Sequence, residues 1–426
     1  MRQIVACGFR GGEGGKERDM DRVMAITDNV FWVGVNDRET PRFENLWPLD
    51  HGISYNAFLV RAEKNVLIDS VKALTQADHF QRIAELLGPG KKIDYLVINH
   101  MEPDHSGAIP WLRRQYPEMR IVGNAKTLDF LDRFYGITQN VVKVGDNDVL
   151  DAGGARLRFV LTPMVHWPET MMTYLEEKKI LFSGDAFGSF GALNGALFAD
   201  QQDDRDHYLS EMLRYFSNVI GRYSDMLQKA LVKIKALAID CIASTHGPVW
   251  RRDLDQLLAL HDKWSRHETD PGVVIAYASM YGHTLQLMEA IVANLSRCGV
   301  GRIVVHDVAH SHPSYIVRDV WKYRGLILGT PTYNMRPFPL VEDLVSLLDN
   351  KRMKNRLLGV FGSYGWSGGG VKQLTDFAAA GADRWQLVEP VVEAHCAAGI
   401  EDFARAAELG ANMAARLGEE KKGEAV

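Results

Sequence analysis

No two cysteines in this chain are spaced as CxxC. The four present, Cys7, Cys241, Cys298 and Cys396, lie far apart. That spacing excludes a zinc ribbon or a fused rubredoxin-type iron site, and it suits a reducing cytosol better than a disulfide framework. Long apolar runs are missing too, so no membrane span is expected. The first twenty residues hold one short apolar stretch, then Gly and charge, and do not read as a signal peptide. There is no clustered basic stripe, and the net charge of −5 argues against nucleic acid as a partner. GxGxxG is absent as well, which speaks against FAD or NAD held in the Rossmann manner. These absences leave a cytoplasmic globular protein. A hydrophobic content of 46% with 24% charged residues fits that class, and 426 residues are too many for one ordinary core, so two domains are expected.

From about residue 22 the chain alternates strands and helices. Strands are expected at Phe31–Val35, Ala57–Ala62, Val66–Ser70, Asp94–His100, Arg156–Pro163, Lys179–Asp185 and Cys241–Gly247. Helices are expected over Ala77–Gly88 and, as one long amphipathic stretch, Asp204–Leu237. The polar segment "RHETDPG", residues 266–272, reads as the domain boundary. Beyond it, Val273–Ser279, Arg302–Val308, Gly325–Pro331, Leu357–Ser363 and Gln386–Val392 are apolar strands separated by helices, the pattern of a doubly wound parallel sheet. The tail, residues 417–426, is charged and expected to fray.

"NHMEPDH", residues 99–105, sets His100, Glu102, Asp104 and His105 close together after a strand. Two imidazoles and two carboxylates this near each other are costly to bury without a cation. Alternate residues leaving a strand end point to opposite sides and could feed two neighbouring ions. Three later segments carry the same chemistry after strands: "VHWPET" with His166, "FSGDAFG" with Asp185 and "STHGPVW" with His246. A lone His or Asp in such a place is more often a cap or a packed core residue, but the assembled set is enough for two ions sharing one carboxylate. Glu102, Asp104 and Asp185 set three negative charges against the four positive charges of two divalent ions. So oxygen-rich a set suits redox-active iron better than zinc, which favours N and S ligands. His51, His79, His261 and His312 lack this context and read as surface or packing residues.

Three loops in the second half suit a flavin. "SMYGHT", comprising Ser279, Met280, Tyr281, Gly282, His283 and Thr284, follows a strand and opens a helix, offering hydroxyls and free amides to a phosphate. Pro331, Thr332, Tyr333 and Asn334 end a later strand, and Ser363, Tyr364, Gly365, Trp366, Ser367 and Gly368 end the next. Aromatic rings to stack on the isoalloxazine and amides for its carbonyl edge make these loops a candidate FMN pocket.

"HMEPDH" followed by His166, Asp185 and His246, with 60, 18 and 60 residues between successive members, resembles the ligand series of the flavodiiron proteins, and the three loops resemble flavodoxin. The resemblance covers about residues 22–416. It implies an α/β protein in two parts: a metallo-β-lactamase-like αββα sandwich over 22–268 and a flavodoxin-like domain, a doubly wound parallel sheet, over 272–416, with residues 1–21 an extension outside the pattern. It further implies that His100, Glu102 and His166 hold one iron, that Asp104, His105 and His246 hold the other, and that Asp185 bridges them. The implied activity is reduction of O2 to water, of NO to N2O, or of both. Electrons would come from a separate rubredoxin or other reductase and pass through FMN, in a head-to-tail homodimer or a dimer of dimers. Two other classes share these features. A zinc hydrolase on the same fold with a regulatory flavodoxin-like module would typically carry HxHxDH, with His where this chain has Glu102; a flavin carrier would hold a purely structural metal.

Overall fold

The computed structural model describes residues 24–423. The expected N-terminal extension, with Cys7, lies outside these residues, as does the end of the charged tail.

Two sheets form the sandwich. One has seven strands in the order Met24–Ala25, Val30–Trp32, Phe58–Val60, Val66–Ile68, Tyr95–Val97, Arg120–Gly123, Val141–Lys143. The other has five: Val149–Asp151, Arg156–Leu161, Met171–Leu175, Ile180–Gly184, Cys241–Ser244. Strand residues alternate between faces, and the two inner faces share one core. Phe58, Val66, Ile68 and Val97 of the first sheet pack against Leu157, Phe159, Ile180 and Phe182 of the second, with the Phe58 and Phe182 rings 5.2 Å apart. The alternate residues, Leu67, Leu96 and Ile121 on one sheet and Leu181 and Ile242 on the other, join the outer clusters with helix residues such as Ile83, Leu112, Leu227 and Leu231. Helices therefore cover both outer faces, as an αββα sandwich requires.

The second half is a parallel sheet in the order Ile303–Asp307, Asp270–Tyr277, Tyr323–Tyr333, Arg356–Tyr364, Trp385–Leu387. The first strand in sequence is second in space, which is the flavodoxin-like order. Helices lie on both faces: His283–Arg297 and Ile400–Gly423 share one apolar cluster, while Pro313–Lys322, Pro339–Lys351 and Gly370–Ala380 contribute to the other.

The structure corrects four expected elements. The strand expected at Phe31–Val35 breaks at Gly34, because Val35–Asp37 leaves the main sheet to pair with Ile53–Tyr55. The expected long helix over Asp204–Leu237 is two helices, Arg205–Tyr215 and Ser224–Ile234. Between them lie a π-helical turn at Phe216–Ile220 and a 3-10 turn at Gly221–Tyr223. The π turn is buried at all five positions, and Gly221 packs so closely on Trp321 that a Cβ there would lie 2.6 Å from the ring. Tertiary packing against the second half thus overrides the amphipathic period. The strand expected at Gln386–Val392 is two short strands, Trp385–Leu387 and Val392–His395, on either side of Pro390. Finally, the last helix continues to Gly423 through much of the tail expected to fray.

The halves are tied together by buried side chains. Arg356 donates to the carbonyls of Val320 (2.8 Å), Trp321 (2.8 Å) and His267 (3.2 Å), so the segment expected to act as a linker is pinned. Trp321 Nε1–H donates to the Trp264 carbonyl at 3.1 Å.

Candidate metal centre and flavin pocket

All seven metal-type residues meet at one edge of the sandwich. His100 follows the Tyr95–Val97 strand, Asp185 directly follows Ile180–Gly184, and His246 lies two residues beyond Cys241–Ser244. His166 sits in the turn between Arg156–Leu161 and Met171–Leu175. Strand alternation does not account for Asp104 and His105, contrary to the expectation above. They lie on a one-turn helix, Pro103–Ser106, started by Pro103, because proline is preorganised for the first helical position. The turn brings Asp104 and His105 back beside His100, with the His100 and His105 rings 4.9 Å apart.

Asp185 organises the cluster. Its Oδ2 lies 3.3 Å from His100 Nε2 and 3.0 Å from His166 Nε2, whereas Oδ1 lies 3.2 Å from His105 Nε2 and 3.6 Å from His246 Nε2. Glu102 Oε2 stands 2.8 Å from His166 Nε2, and Asp104 Oδ2 stands 3.1 Å from His105 Nε2 and 3.4 Å from His246 Nε2. Ligand-type atoms fall into three groups, each mutually within 4.8 Å: His100, Glu102, His166 and Asp185; His100, Asp104 and His105; and His105, Asp185 and His246. Several of these buried atoms have no hydrogen-bond partner, among them His100 Nε2, both oxygens of Asp104 and Asp185 Oδ2. Orphaned buried polar atoms facing one another are what a cation site leaves behind when it is described without its ions.

The surrounding shell fixes these groups. Asp69 accepts from Asn99 N at 2.8 Å and Asn99 Nδ2 at 2.7 Å, and Glu169 accepts from Met101 N at 2.8 Å. Together they clamp the chain on either side of His100. His246 donates Nδ1–H to the Ser54 carbonyl at 2.8 Å, which leaves Nε2 free to coordinate. Thr245 donates to Asp185 Oδ1 at 2.6 Å.

Burial alone would push the imidazoles down and the carboxyls up, but the cluster reverses both. Asp185 and Glu102 hold His100 well above its ordinary range, Asp104 and Asp185 raise His105 to about 10, and Asp185 and Glu102 raise His166 to about 10. In turn His100 holds Asp185 well below the usual carboxylate range, and His105 lowers Asp104. Without a cation the carboxylates thus favour protons on these imidazoles, and a cation taking their place would displace them. Adding Zn(II) to the metal-free chain in weak buffer at pH 7 is expected to release protons, and metal affinity is expected to fall steadily as pH is lowered. Uptake without proton release, or an affinity independent of pH between 6 and 8, would contradict this charge state.

Sequence reasoning missed the groups that face the cluster from elsewhere. The Tyr215 ring lies 5.4 Å from His246, its hydroxyl is buried without a partner, and burial with the nearby Asp185 charge raises the phenol. Tyr55 packs 5.6 Å from His246 and 6.2 Å from His105. Glu44 is an exposed residue, yet desolvation of its carboxyl and the nearby Glu102 charge raise it to about 7. No local spacing marks these residues. The four histidines set aside earlier stay apart from the cluster: His51 is exposed, His79 and His261 are buried in packing, and His312 caps the Pro313–Lys322 helix.

The three loops of the second half line one cavity of about 750 Å³. Met280, Tyr281, His283, Pro331, Thr332, Tyr333, Asn334, Ser363, Tyr364, Gly365, Trp366 and Ser367 line it, as does Met335 at the end of the second loop, and Cys396, which sequence did not suggest, joins them. Ser279, Gly282, Thr284 and Gly368 are not among the lining residues. Ser279 Oγ instead accepts from Gly282 N at 3.1 Å and Leu285 N at 3.3 Å, and Thr284 pairs with Ser363 at 3.0 Å. Both hydroxyls shape the loops. The lining has aromatic rings, hydroxyls and amides and no carboxylate, so a flavin ring finds stacking surfaces and an anionic phosphate meets no like charge.

Residues 53–247 match the ODP family beta lactamase and residues 275–409 match flavodoxin. The anaerobic nitric oxide reductase flavorubredoxin of Escherichia coli O1:K1 is 35% identical over 360 residues, covering 83% of this chain and 74% of that relative. The rubredoxin oxygen:oxidoreductase of Desulfovibrio gigas superposes with a TM-score of 0.89 at 26% identity, over 93% of this chain and 99% of that one. The flavodiiron protein of Giardia intestinalis superposes with a TM-score of 0.88 at 27% identity, over 93% and 96%. This chain belongs to the flavodiiron family. As a flavodiiron protein it is an oxidoreductase, and its cofactors are FMN and a diiron centre. A zinc hydrolase on the same sandwich is set aside, since the relatives named above are reductases and oxidoreductases. Among the described residues of this flavodiiron protein, no helix is long and apolar enough to cross a membrane.

Proposed function

We propose that this flavodiiron protein reduces O2, NO or both, taking electrons from a separate rubredoxin or similar donor. His100, Glu102 and His166 would hold one iron, Asp104, His105 and His246 the other, and Asp185 would be shared between them. The observation that carries this reading is the Asp185 carboxylate, which turns one oxygen to each half of the cluster. When bound, two ferrous ions supply one electron each and a reduced flavin two more, which covers four-electron reduction of O2 to two waters or two-electron coupling of two NO to N2O. The chain's own task is to keep the acceptor site dry and oriented. Tyr215, Tyr55 and Phe43 wall it with rings 5.3–5.6 Å from His246, and the Tyr215 hydroxyl is free to donate a hydrogen bond inward.

FMN fits the cavity lined by Met280 to Cys396. A rubredoxin-type donor fits the similarity to a flavorubredoxin and to a rubredoxin oxygen:oxidoreductase. A head-to-tail homodimer, alone or as a dimer of dimers, is supported by the flavin pocket itself. All of its lining residues come from the flavodoxin-like half, and none of the residues of the metal cluster lines it.

The experiment is metal and flavin analysis of protein made under iron-replete conditions, followed by anaerobic reduction and exposure to each gas. About two irons and one FMN per chain are expected, as is flavin reoxidation by at least one gas. Two tightly held zinc ions with no flavin would overturn the reading.

A further inference from the structure

One of the contacts between the two halves is made by a buried lysine. Lys351 ends the Pro339–Lys351 helix of the flavodoxin-like half, is buried, and reaches into the sandwich half. There its ammonium donates to the carbonyl of Asn218 and lies 5.1 Å from the centre of the Trp47 ring. Both contacts lead to the metal cluster. Asn218 lies in the π-helical turn Phe216–Ile220, which directly follows Tyr215, the phenol packed against His246. A π turn is a rare, widened turn that needs outside partners, and this one is held from the second half twice. Lys351 takes the Asn218 carbonyl, and the Asn218 amide donates to the Ser314 carbonyl at 3.1 Å. Trp47, which also meets the ring of His312 at 6.4 Å, donates Nε1–H to Glu44 Oε2 at 3.0 Å, and Glu44 faces Glu102 and His166.

Burying an ammonium is costly, and an apolar side chain would fill the same space between the halves. We infer that Lys351 is a positioning residue for the metal centre, through which the flavin-bearing half holds Tyr215 and Glu44 in place against the ligands. This rests on the proposed two-metal reading of the cluster. It gives the flavodoxin-like half a second task within its own chain, besides carrying flavin. The linkage is an outer-shell one, of the kind that orients ligands without touching the ion.

Lys351→Met removes the charge and keeps an unbranched chain one atom shorter, and Trp47→Phe keeps a ring beneath Lys351 while removing the donor to Glu44. Full-length parent and variants are stripped of metal, kept with their FMN, and titrated anaerobically with Co(II), whose visible d–d bands report coordination geometry. The parent is expected to bind two Co(II) per chain. Each variant is expected to keep the parental FMN content but show shifted bands and roughly tenfold weaker Co(II) affinity, the scale of an outer-shell loss. If Lys351→Met does not fold, Trp47→Phe decides alone. Parental bands and affinity in the variants, even with a lowered unfolding temperature, would mean a merely structural lysine and overturn the inference. A parent that takes up no Co(II) would overturn the two-metal reading itself, and this role with it.

Discussion

Asp185→Asn is expected to end gas reduction and to weaken metal binding by more than about 100-fold, beyond the 10–100-fold cost of losing an outer-shell partner. The reason lies in how the carboxylate is shared. One oxygen faces His100 and His166 and the other faces His105 and His246, so a single substitution removes a negative charge from both halves of the cluster. The amide is nearly isosteric and can keep the Thr245 hydrogen bond through its oxygen. Its NH2 group then confronts imidazole nitrogens or a cation where an oxygen had stood. Without metal, the variant leaves raised histidines with one fewer buried counter-charge, a change on the order of 3–5 kcal/mol when a buried pair is broken. Metal analysis, gas consumption and thermal unfolding with and without chelator read the three consequences. Two irons per chain and undiminished turnover would remove Asp185 from the bridging position.

The candidate ligands were legible in sequence because each rides at or near the end of a strand, and strands announce themselves by apolar runs. The spacing of His166, Asp185 and His246 could be read directly. What could not be read is how the short segment after Met101 turns. Pro103 there starts a helical turn, so the side-to-side alternation of a strand does not apply to Asp104 and His105. Tyr215 and Glu44 were invisible for a different reason. Tyr215 reaches the cluster because a π turn, packed on Trp321, Ser314 and Lys351 from the other half, breaks a helix that its own amphipathic pattern would have continued. Glu44 sits in a loop with φ of 48° and is oriented by an indole three residues on. Neither feature has a period. In the flavin pocket the three expected loops line one cavity, and Ser279, expected to face a phosphate, also braces its own loop by accepting from Gly282 and Leu285. Residue type shows that a hydroxyl is present, not which amide it will meet.

The proposed head-to-tail arrangement of chains leads to the second large effect. The cavity that fits FMN is lined only by the flavodoxin-like half, its rim carries exposed Tyr281, Tyr333, Met335 and Trp366, and no ligand of the metal cluster lines it. In a two-fold head-to-tail dimer each flavin would lie against the other chain's metal centre. The test pairs two inactive variants. One carries Asp185→Asn. The other carries Ser279→Ala, Thr332→Val and Ser363→Ala, removing hydroxyls that hold the flavin loops through Gly282, Gly370 and Thr284. Each alone is expected to be dead, the first for want of a metal centre and the second for want of FMN. After subunit exchange of equal amounts, half the dimers are hybrids, and each hybrid has one intact junction out of two, so activity is expected to recover to roughly a quarter of the parent at equal chain concentration. Transfer within a chain predicts no recovery, because every chain then lacks one of its own centres. Continued inactivity, with exchange verified by differently tagged subunits, would count against electron transfer between chains.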